Sequence, residues 1–284
     1  MQNPLICQSV LSCPLCETSL RKISGSLVCE NRHCYDFAKE GYINLLPPQQ
    51  KKSKEPGDNK EMIHCRKNFL NKNFYGFLAP EIAQLIRQFN SINTPANLLD
   101  VGCGEGYFTD QIANHVKENN IAFYGMDISK EAVRLAAKRN KHTHWFVASS
   151  NKIPVKNNSL DIVIKINAPL NFIQLKNKLS NHAIVVSVTP GKKHLSQLRK
   201  TMYTQVQPHF SETIPEGFTL IHKNEVSKEI SLTSKQDINN LFKMTPYFWN
   251  ATGLARSKVA KLTQLETTAS FNIQIYQATV PPTE

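Results

Sequence analysis

Cys13-x2-Cys16-x12-Cys29-x3-His33 sets four soft or borderline ligands on two short turns. That is the spacing of a closed, tetrahedral structural zinc site, in which a short chain wraps one ion without a long loop to close. Cys34 competes with His33 for the fourth position, and the x3 interval favours His33. A second cluster is Asp100-Val101-Gly102-Cys103-Gly104-Glu105-Gly106, between apolar Asn97-Leu98-Leu99 and a segment with helical character at 107–116. A strand, a glycine turn and a helix start let a ligand's polar groups approach bare backbone N–H groups. The spacing is G-x-G-x-G, and Tyr107 stands where a dinucleotide fingerprint needs its third glycine. That departure favours S-adenosylmethionine over NAD.

The elements that would position these residues follow from the pattern downstream. Strands are expected at 97–101, 122–126, 144–148, 160–166 and 183–188. Helices are expected at 61–71, 78–90, 107–116, 130–139, 171–179 and 194–203. Near-continuous apolar strands separated by helices imply a parallel sheet covered on both faces. In such a sheet the ligand sits at the carboxyl ends of the strands. Asp127 directly follows the second strand and can accept both ribose hydroxyls, though it is also a candidate helix N-cap, a role Ser129 would fill equally well. Ala148-Ser149-Ser150 ends the third strand, where adenine would lie. Asn167-Ala168-Pro169 ends the fourth, facing the transfer site, and Thr189-Pro190-Gly191 ends the fifth. Residues 269–280 alternate and suit an edge or antiparallel strand; 205–268 carry no clear pattern. The fold class expected is α/β: a Rossmann-like class I methyltransferase domain with a small N-terminal zinc-binding domain. We place the zinc-binding domain at 1–46, a polar, proline-bearing linker at 47–60, and the S-adenosylmethionine-dependent domain at 61–284.

The chain has 284 residues, 40% hydrophobic and 20% charged, with ample material for a buried core. No apolar run reaches membrane-span length and no signal peptide opens the chain, so the expected location is cytoplasmic, with no membrane partner. All seven cysteines lie in the first 103 residues; the odd number and tight clustering argue against a disulfide framework. Cys7, Cys65 and Cys103 lack partners and read as small apolar residues. The net charge of +12 is concentrated: residues 132–211 hold thirteen Lys or Arg against one acid, Asp161, and the remainder of the chain balances. Such asymmetry suits a polyanion, with a solvated basic face as the plainer alternative.

The chain resembles the bacterial 23S rRNA guanine-N1 methyltransferases of the RlmA type. The resemblance is carried by Cys13-Pro14-Leu15-Cys16, Cys29, His33, the stretch DFAKEGYINLL from Asp36, and Pro56-Gly57-Asp58. It continues through Leu99-Asp100-x-Gly102-Cys103-Gly104-Glu105-Gly106-Tyr107, Ala148-Ser149-Ser150, Thr189-Pro190-Gly191-x-x-His194-Leu195 and Met244-Thr245-Pro246. It implies methyl transfer to N1 of a guanine in a domain II hairpin of 23S rRNA, and KEGYINLL and TPGKKHL favour the guanine-745 type over its sister. It implies zinc on Cys13, Cys16, Cys29 and His33, and cofactor contacts from Tyr75, Gly104, Glu105 and His194. With the turn and strand ends, the cofactor set is Tyr75, Asp100, Gly102, Gly104, Glu105, Gly106, Asp127, Ser149 and His194. The general base is not identified; His194 is held as cofactor-binding first and base second. The sequence departs from the family at Asn167, where an aromatic is expected, and at Asn250, where a basic residue is expected. Tyr247, Phe248 and Trp249 are either stacking faces for an unstacked base or core. Alternatives are a methyltransferase for another RNA site, a small molecule or a protein, and a zinc-containing RNA-binding protein without turnover. A second copy of the chain is a candidate partner.

Overall fold

The computed structural model describes residues 10–51, 53–89, 95–116, 120–203 and 212–279. The N-terminal part is a three-stranded antiparallel sheet of β1 (Leu20–Ile23), β2 (Ser26–Cys29) and β3 (Cys34–Asp36), followed by a two-residue strand, β4 (Ile43–Asn44). Two helices come next, α1 (Lys60–Asn71) and α2 (Leu78–Phe89). The alternating region is β5 (Ala96–Val101), α3 (Tyr107–His115), β6 (Ile121–Asp127), α4 (Lys130–Arg139), β7 (His144–Val147), β8 (Leu160–Ile166), α5 (Phe172–Lys176), β9 (Leu179–Pro190) and α6 (Ser196–Met202). The chain closes with β10 (Phe218–Leu232), α7 (Lys235–Lys243), α8 (Pro246–Asn250), α9 (Gly253–Ala260) and β11 (Leu265–Ala278).

The large sheet runs β10-β11-β9-β8-β5-β6-β7-β4. From β4 to β9 every pairing is parallel; β11 pairs antiparallel with both β9 and β10. The strand order reverses at β5, whose neighbours are β6 and β8, so a crevice opens at the carboxyl end of β5. Successive β5 residues feed opposite faces: Leu98 joins the core under α2, α3 and α6, and Leu99 joins the core on the other side. Both faces being buried explains the largely apolar runs of β5 and β8. The helices start where capping dictates. Asn59 accepts a hydrogen bond from the Met62 N–H ahead of α1, and Ser129 accepts one from Ala132 ahead of α4.

The zinc-ligand region does not stand apart from the sheet. Val10, Leu11, Leu20 and Leu27 share one core with Ile153, Val155 and Phe146. The Ser12 N–H donates to the Pro154 carbonyl at 3.0 Å, and Lys156 N–H to Val10 at 2.8 Å. They cover the long β7–β8 connection, which contains no helix among the described residues. β4, from the end of the KEGYINLL stretch, adds a parallel strand beside β7.

Several expectations are corrected. Of the two readings of 269–280, the antiparallel strand holds and the edge does not: β11 is an interior strand, buried on both faces. The edge on that side is β10, whose lysines and glutamates hide its strand character; charge is how an edge discourages pairing with other chains. The fourth helix of the alternating region is shorter than expected because β9 already begins at Leu179, and α6 starts at Ser196 because Leu195 adopts a left-handed φ of 50°. Cys65 and Cys103 are buried as expected, while Cys7 lies outside the described residues.

Candidate functional site

Cys13, Cys16, Cys29 and His33 converge, with all four ligand atoms within 4.8 Å of one another. The Cys16 and Cys29 sulfurs are 3.6 Å apart, and His33 Nδ1 lies 3.3–3.5 Å from the three sulfurs. Ligands about 2.3 Å (S) and about 2.0 Å (N) from one ion at tetrahedral angles stand at such separations. The donor set therefore fits one closed zinc, with no fifth position for chemistry. Cys34 is exposed and outside the group, 3.9 Å from the Asp36 carboxylate. Thr18 and Tyr35 hydroxyls lie 3.2 Å from the Cys16 and Cys13 sulfurs, the supporting partners a thiolate cluster uses.

The second site is a cavity of about 840 Å³ at the carboxyl ends of β5, β6, β8 and β9. Its floor is the glycine turn. Gly102, Gly104 and Gly106 have φ of 76°, 57° and 80°, the left-handed region that L side chains rarely adopt. A Cβ on Gly102 would meet the Ala168 Cβ at 2.3 Å, whereas one on Gly104 would find nothing nearer than 3.7 Å. Gly104 therefore faces open space. Of the expected cofactor residues, Tyr75, Asp100, Gly102, Gly104, Glu105, Asp127, Ser149 and His194 line the cavity. Gly106 does not; a Cβ there would meet Trp145 at 2.8 Å and Ala136 at 2.9 Å, and the residue caps the start of α3.

Asp127 is not the cap of α4; Ser129 is. The Asp127 carboxylate instead accepts from Gly104 N–H at 3.0 Å and Ser129 N–H at 2.8 Å, joining the end of β6 to the turn. Asp100 is buried and accepts from the Thr109 hydroxyl at 2.5 Å. Burial pushes its pKa up to about 7, opposed by that hydroxyl and helped by the nearby Asp127 and Glu105 charges. Burial likewise raises Glu105 and Asp127. Three buried carboxylates disfavour an anionic dinucleotide and favour a cation. S-adenosylmethionine carries positive charge on its sulfonium and amino groups, and the donor chemistry fits it. Two further buried hydroxyls on the wall, Tyr75 OH and Thr189 Oγ1, have no hydrogen-bond partner among the described residues. Buried polar atoms rarely stay unpaired, so both point to a ligand.

His194 is buried against Tyr75 and Phe271, and its Nδ1 accepts from Ser270 N–H at 3.2 Å. A backbone N–H can only donate, so the neutral ring carries its proton on Nε2. That tautomer makes His194 a donor and removes the geometric support for a base at Nδ1. Asp161 is structural: it accepts from Asn97 N–H and the Ser180 hydroxyl, lacing β5, β8 and β9. The aromatic triplet divides: Tyr247 lines the cavity, Phe248 packs on Phe242 and under Arg256, and Trp249 is partly exposed. Asn167 sits on the wall with a φ of 53°.

Sequence reasoning placed Asn167-Ala168-Pro169 on the cavity but gave no site role to Asp58 and Arg66 on the rim or to Lys165 on the β8 wall. Asp58 and Arg66 form an ion pair at 2.5 Å beside the turn, and Gly57 packs closely on Ile128 and Ser129. Lys165, 3% exposed, pairs with Glu212 on the cavity wall. One signal was available: a lysine inside the apolar run LDIVIKI. The basic tract is also less exposed than its composition implies. Lys165 and Arg199 are buried, Arg134 binds Glu131 and Glu40, and Arg139 lies 3.5 Å from Glu105. Lys192 and Lys193 are exposed just past the carboxyl end of β9, and Lys200 is exposed in the last turn of α6.

The zinc ribbon described as "RlmA, N-terminal" matches residues 11–54, and a methyltransferase domain matches residues 98–191. The chain is a methyltransferase with an RlmA-type zinc ribbon. Its methyl donor is S-adenosylmethionine and its metal a single structural zinc. The methyltransferase is 29% identical to "Putative 23S rRNA (guanine-N(1)-)-methyltransferase YxjB" of Bacillus subtilis (strain 168), over 94% of this chain and 96% of that protein. It is 28% identical to 23S rRNA (guanine(748)-N(1))-methyltransferase of Streptomyces fradiae, over 66% of each. Among the described residues, no helix of the methyltransferase is long and apolar enough to cross a membrane.

Proposed function

We propose that this methyltransferase transfers a methyl group from S-adenosylmethionine to N1 of a guanine in a 23S rRNA hairpin, at the guanine-745 type of position. The single observation that carries the reading is the RlmA-type zinc ribbon docked on the methyltransferase sheet within one chain. Relatives named as 23S rRNA guanine-N1 methyltransferases along nearly the whole chain support the same substrate. KEGYINLL and TPGKKHL support the guanine-745 position. Cys13, Cys16, Cys29 and His33 hold the zinc. Tyr75, Asp100, Gly102, Gly104, Glu105, Asp127, Ser149 and His194 contact the cofactor, and Gly106 shapes the turn from behind. Lys192, Lys193 and Lys200 meet RNA phosphates beside the cavity.

The methyl group leaves a sulfonium, so the reaction is an in-line displacement, and alignment and exclusion of water are what the protein adds. Asp127 accepts ribose hydroxyls, Gly104 lets the backbone approach, and His194 donates from Nε2. The base must leave its stack to reach the cavity, and Tyr247 offers a face for it. The test is label incorporation from S-adenosylmethionine into unmodified 23S rRNA, compared with nuclease-treated rRNA and with total protein. Incorporation lost on nuclease treatment supports the reading; incorporation into protein overturns it.

A further inference from the structure

We propose that Lys165 and Glu212 form the recognition and proton-transfer pair for the target guanine, an inference that rests on the RNA reading above. The cavity has two halves. The glycine turn, Asp100 and Asp127 occupy the β5–β6 side, Ser149 the β7 side, and His194, held by Ser270 of β11, lies with Tyr75 beyond β9, so the half over the end of β8 is left for the base. Lys165 and Glu212 are the oppositely charged side chains on that half. Lys165 is the penultimate residue of β8, buried, and its ammonium donates to Glu212 and, at 3.3 Å, to the Ala168 carbonyl. An ammonium has three donors, so one is unassigned among the described residues. The Glu212 carboxylate is aimed from its other oxygen: Oε2 accepts from the Ser187 hydroxyl at 2.7 Å. Its side chain keeps 34% of its surface, so the carboxylate is reachable from the cavity.

A cation beside an anion matches guanine's pairing edge, where O6 is an acceptor and N1–H its neighbouring donor. Adenine presents the opposite order and meets like against like. The same arrangement balances the reaction. Glu212 takes the N1 proton, the N1 electron pair forms the bond to the methyl carbon, and the carbon–sulfur bond breaks with its electrons moving to sulfur. Charge that develops on O6 faces the buried Lys165 ammonium. Lys165 is thereby neutralised at rest by Glu212 and released toward O6 when Glu212 is protonated.

The test uses the full-length, zinc-loaded protein with Lys165→Met and Glu212→Gln. Two readouts are needed: single-turnover transfer to the rRNA hairpin across pH, and equilibrium binding of hairpins carrying guanine or adenine at the target. The wild type is expected to prefer guanine by about tenfold or more, and each variant to lose that preference while keeping its affinity for S-adenosylhomocysteine. Transfer is expected to fall about 100-fold or more in both. With Glu212→Gln the residual rate should climb in proportion to hydroxide, because the proton must then leave to solvent; a purely structural pair would not change the pH profile. If Glu212→Gln loses the cofactor, Glu212→Asp, which keeps the charge but withdraws it, is read by the same preference and profile. Variants that methylate N1 at the wild-type rate with guanine still preferred overturn the assignment. A wild type that neither binds nor methylates the hairpin overturns the RNA reading instead.

Discussion

The Asp127 carboxylate accepts the Gly104 N–H at 3.0 Å, so one side chain at the end of β6 fixes the glycine turn that follows β5. Its other oxygen takes Ser129 N–H and sets the start of α4. Asp127→Ala should therefore cost both the ribose acceptor and the anchor of the turn. S-adenosylmethionine affinity measured by calorimetry is expected to fall about 10- to 100-fold, with zinc content unchanged. Asp127→Asn keeps the shape and one acceptor and should lose less. Unchanged affinity in Asp127→Ala would contradict the placement of the ribose.

Asp100 gives a pH dependence with a defined sign. Its folded pKa is about 7 against an ordinary 3.8, so between those values the folded protein keeps a proton that the unfolded chain has released. This group's contribution to stability is full below the lower value, is lost as pH rises through the upper one, and stays lost above it. Asp100→Asn removes the effect. The gain in melting temperature of this variant over the wild type, both without ligand, should be larger at about pH 8 than at about pH 5. A gain independent of pH would mean that Asp100 is not held protonated by its burial.

Zinc removal should reach beyond the ribbon. Val10, Leu11, Leu20 and Leu27 pack into the same core as Ile153 and Val155 of the methyltransferase domain, and the two parts exchange backbone hydrogen bonds. Chelation, or Cys16→Ser, is expected to lower the main thermal transition by about 10 °C rather than only to abolish a separate small one. A main transition unmoved by complete zinc loss would show that the ribbon is thermodynamically independent.

Hairpin binding should weaken steeply with salt if the exposed Lys192, Lys193 and Lys200, which follow β9 in the chain, meet RNA phosphates as proposed. Replacing each by Gln should lower the slope of log affinity against log salt by about one, while S-adenosylmethionine affinity stays the same. A slope identical in all three variants would move the phosphate contacts elsewhere on the surface.

What could be read from sequence was whatever rests on local spacing. The zinc ligands and the strand–turn–helix around Gly104 are near neighbours along the chain, and their chemistry is written in a few residues each. Five parallel strands were legible because burial on both faces forces long apolar runs such as those in β5 and β8. β10 was not, since an exposed edge keeps charge where an interior strand keeps Val and Ile. The partner of Lys165 was equally hidden: Glu212 is 47 residues away, and only the sheet brings the two together. The tautomer of His194 depends on Ser270, a backbone group 76 residues downstream that no pattern marks. The basic tract misled in degree, because composition counts Lys165, Arg199 and Arg139 alike with surface lysines, whereas the fold turns them inward or pairs them.

The most direct test of the central claim is methyl transfer to unmodified 23S rRNA followed by primer extension across the product. N1 methylation blocks base pairing, so a single strong stop at one guanine of a domain II hairpin is predicted, at the guanine-745 type of position. A stop at the neighbouring sister guanine would correct the position but keep the reaction. Label in the rRNA without any stop, or no label although S-adenosylmethionine binds, would contradict guanine-N1 methylation as the function of this protein.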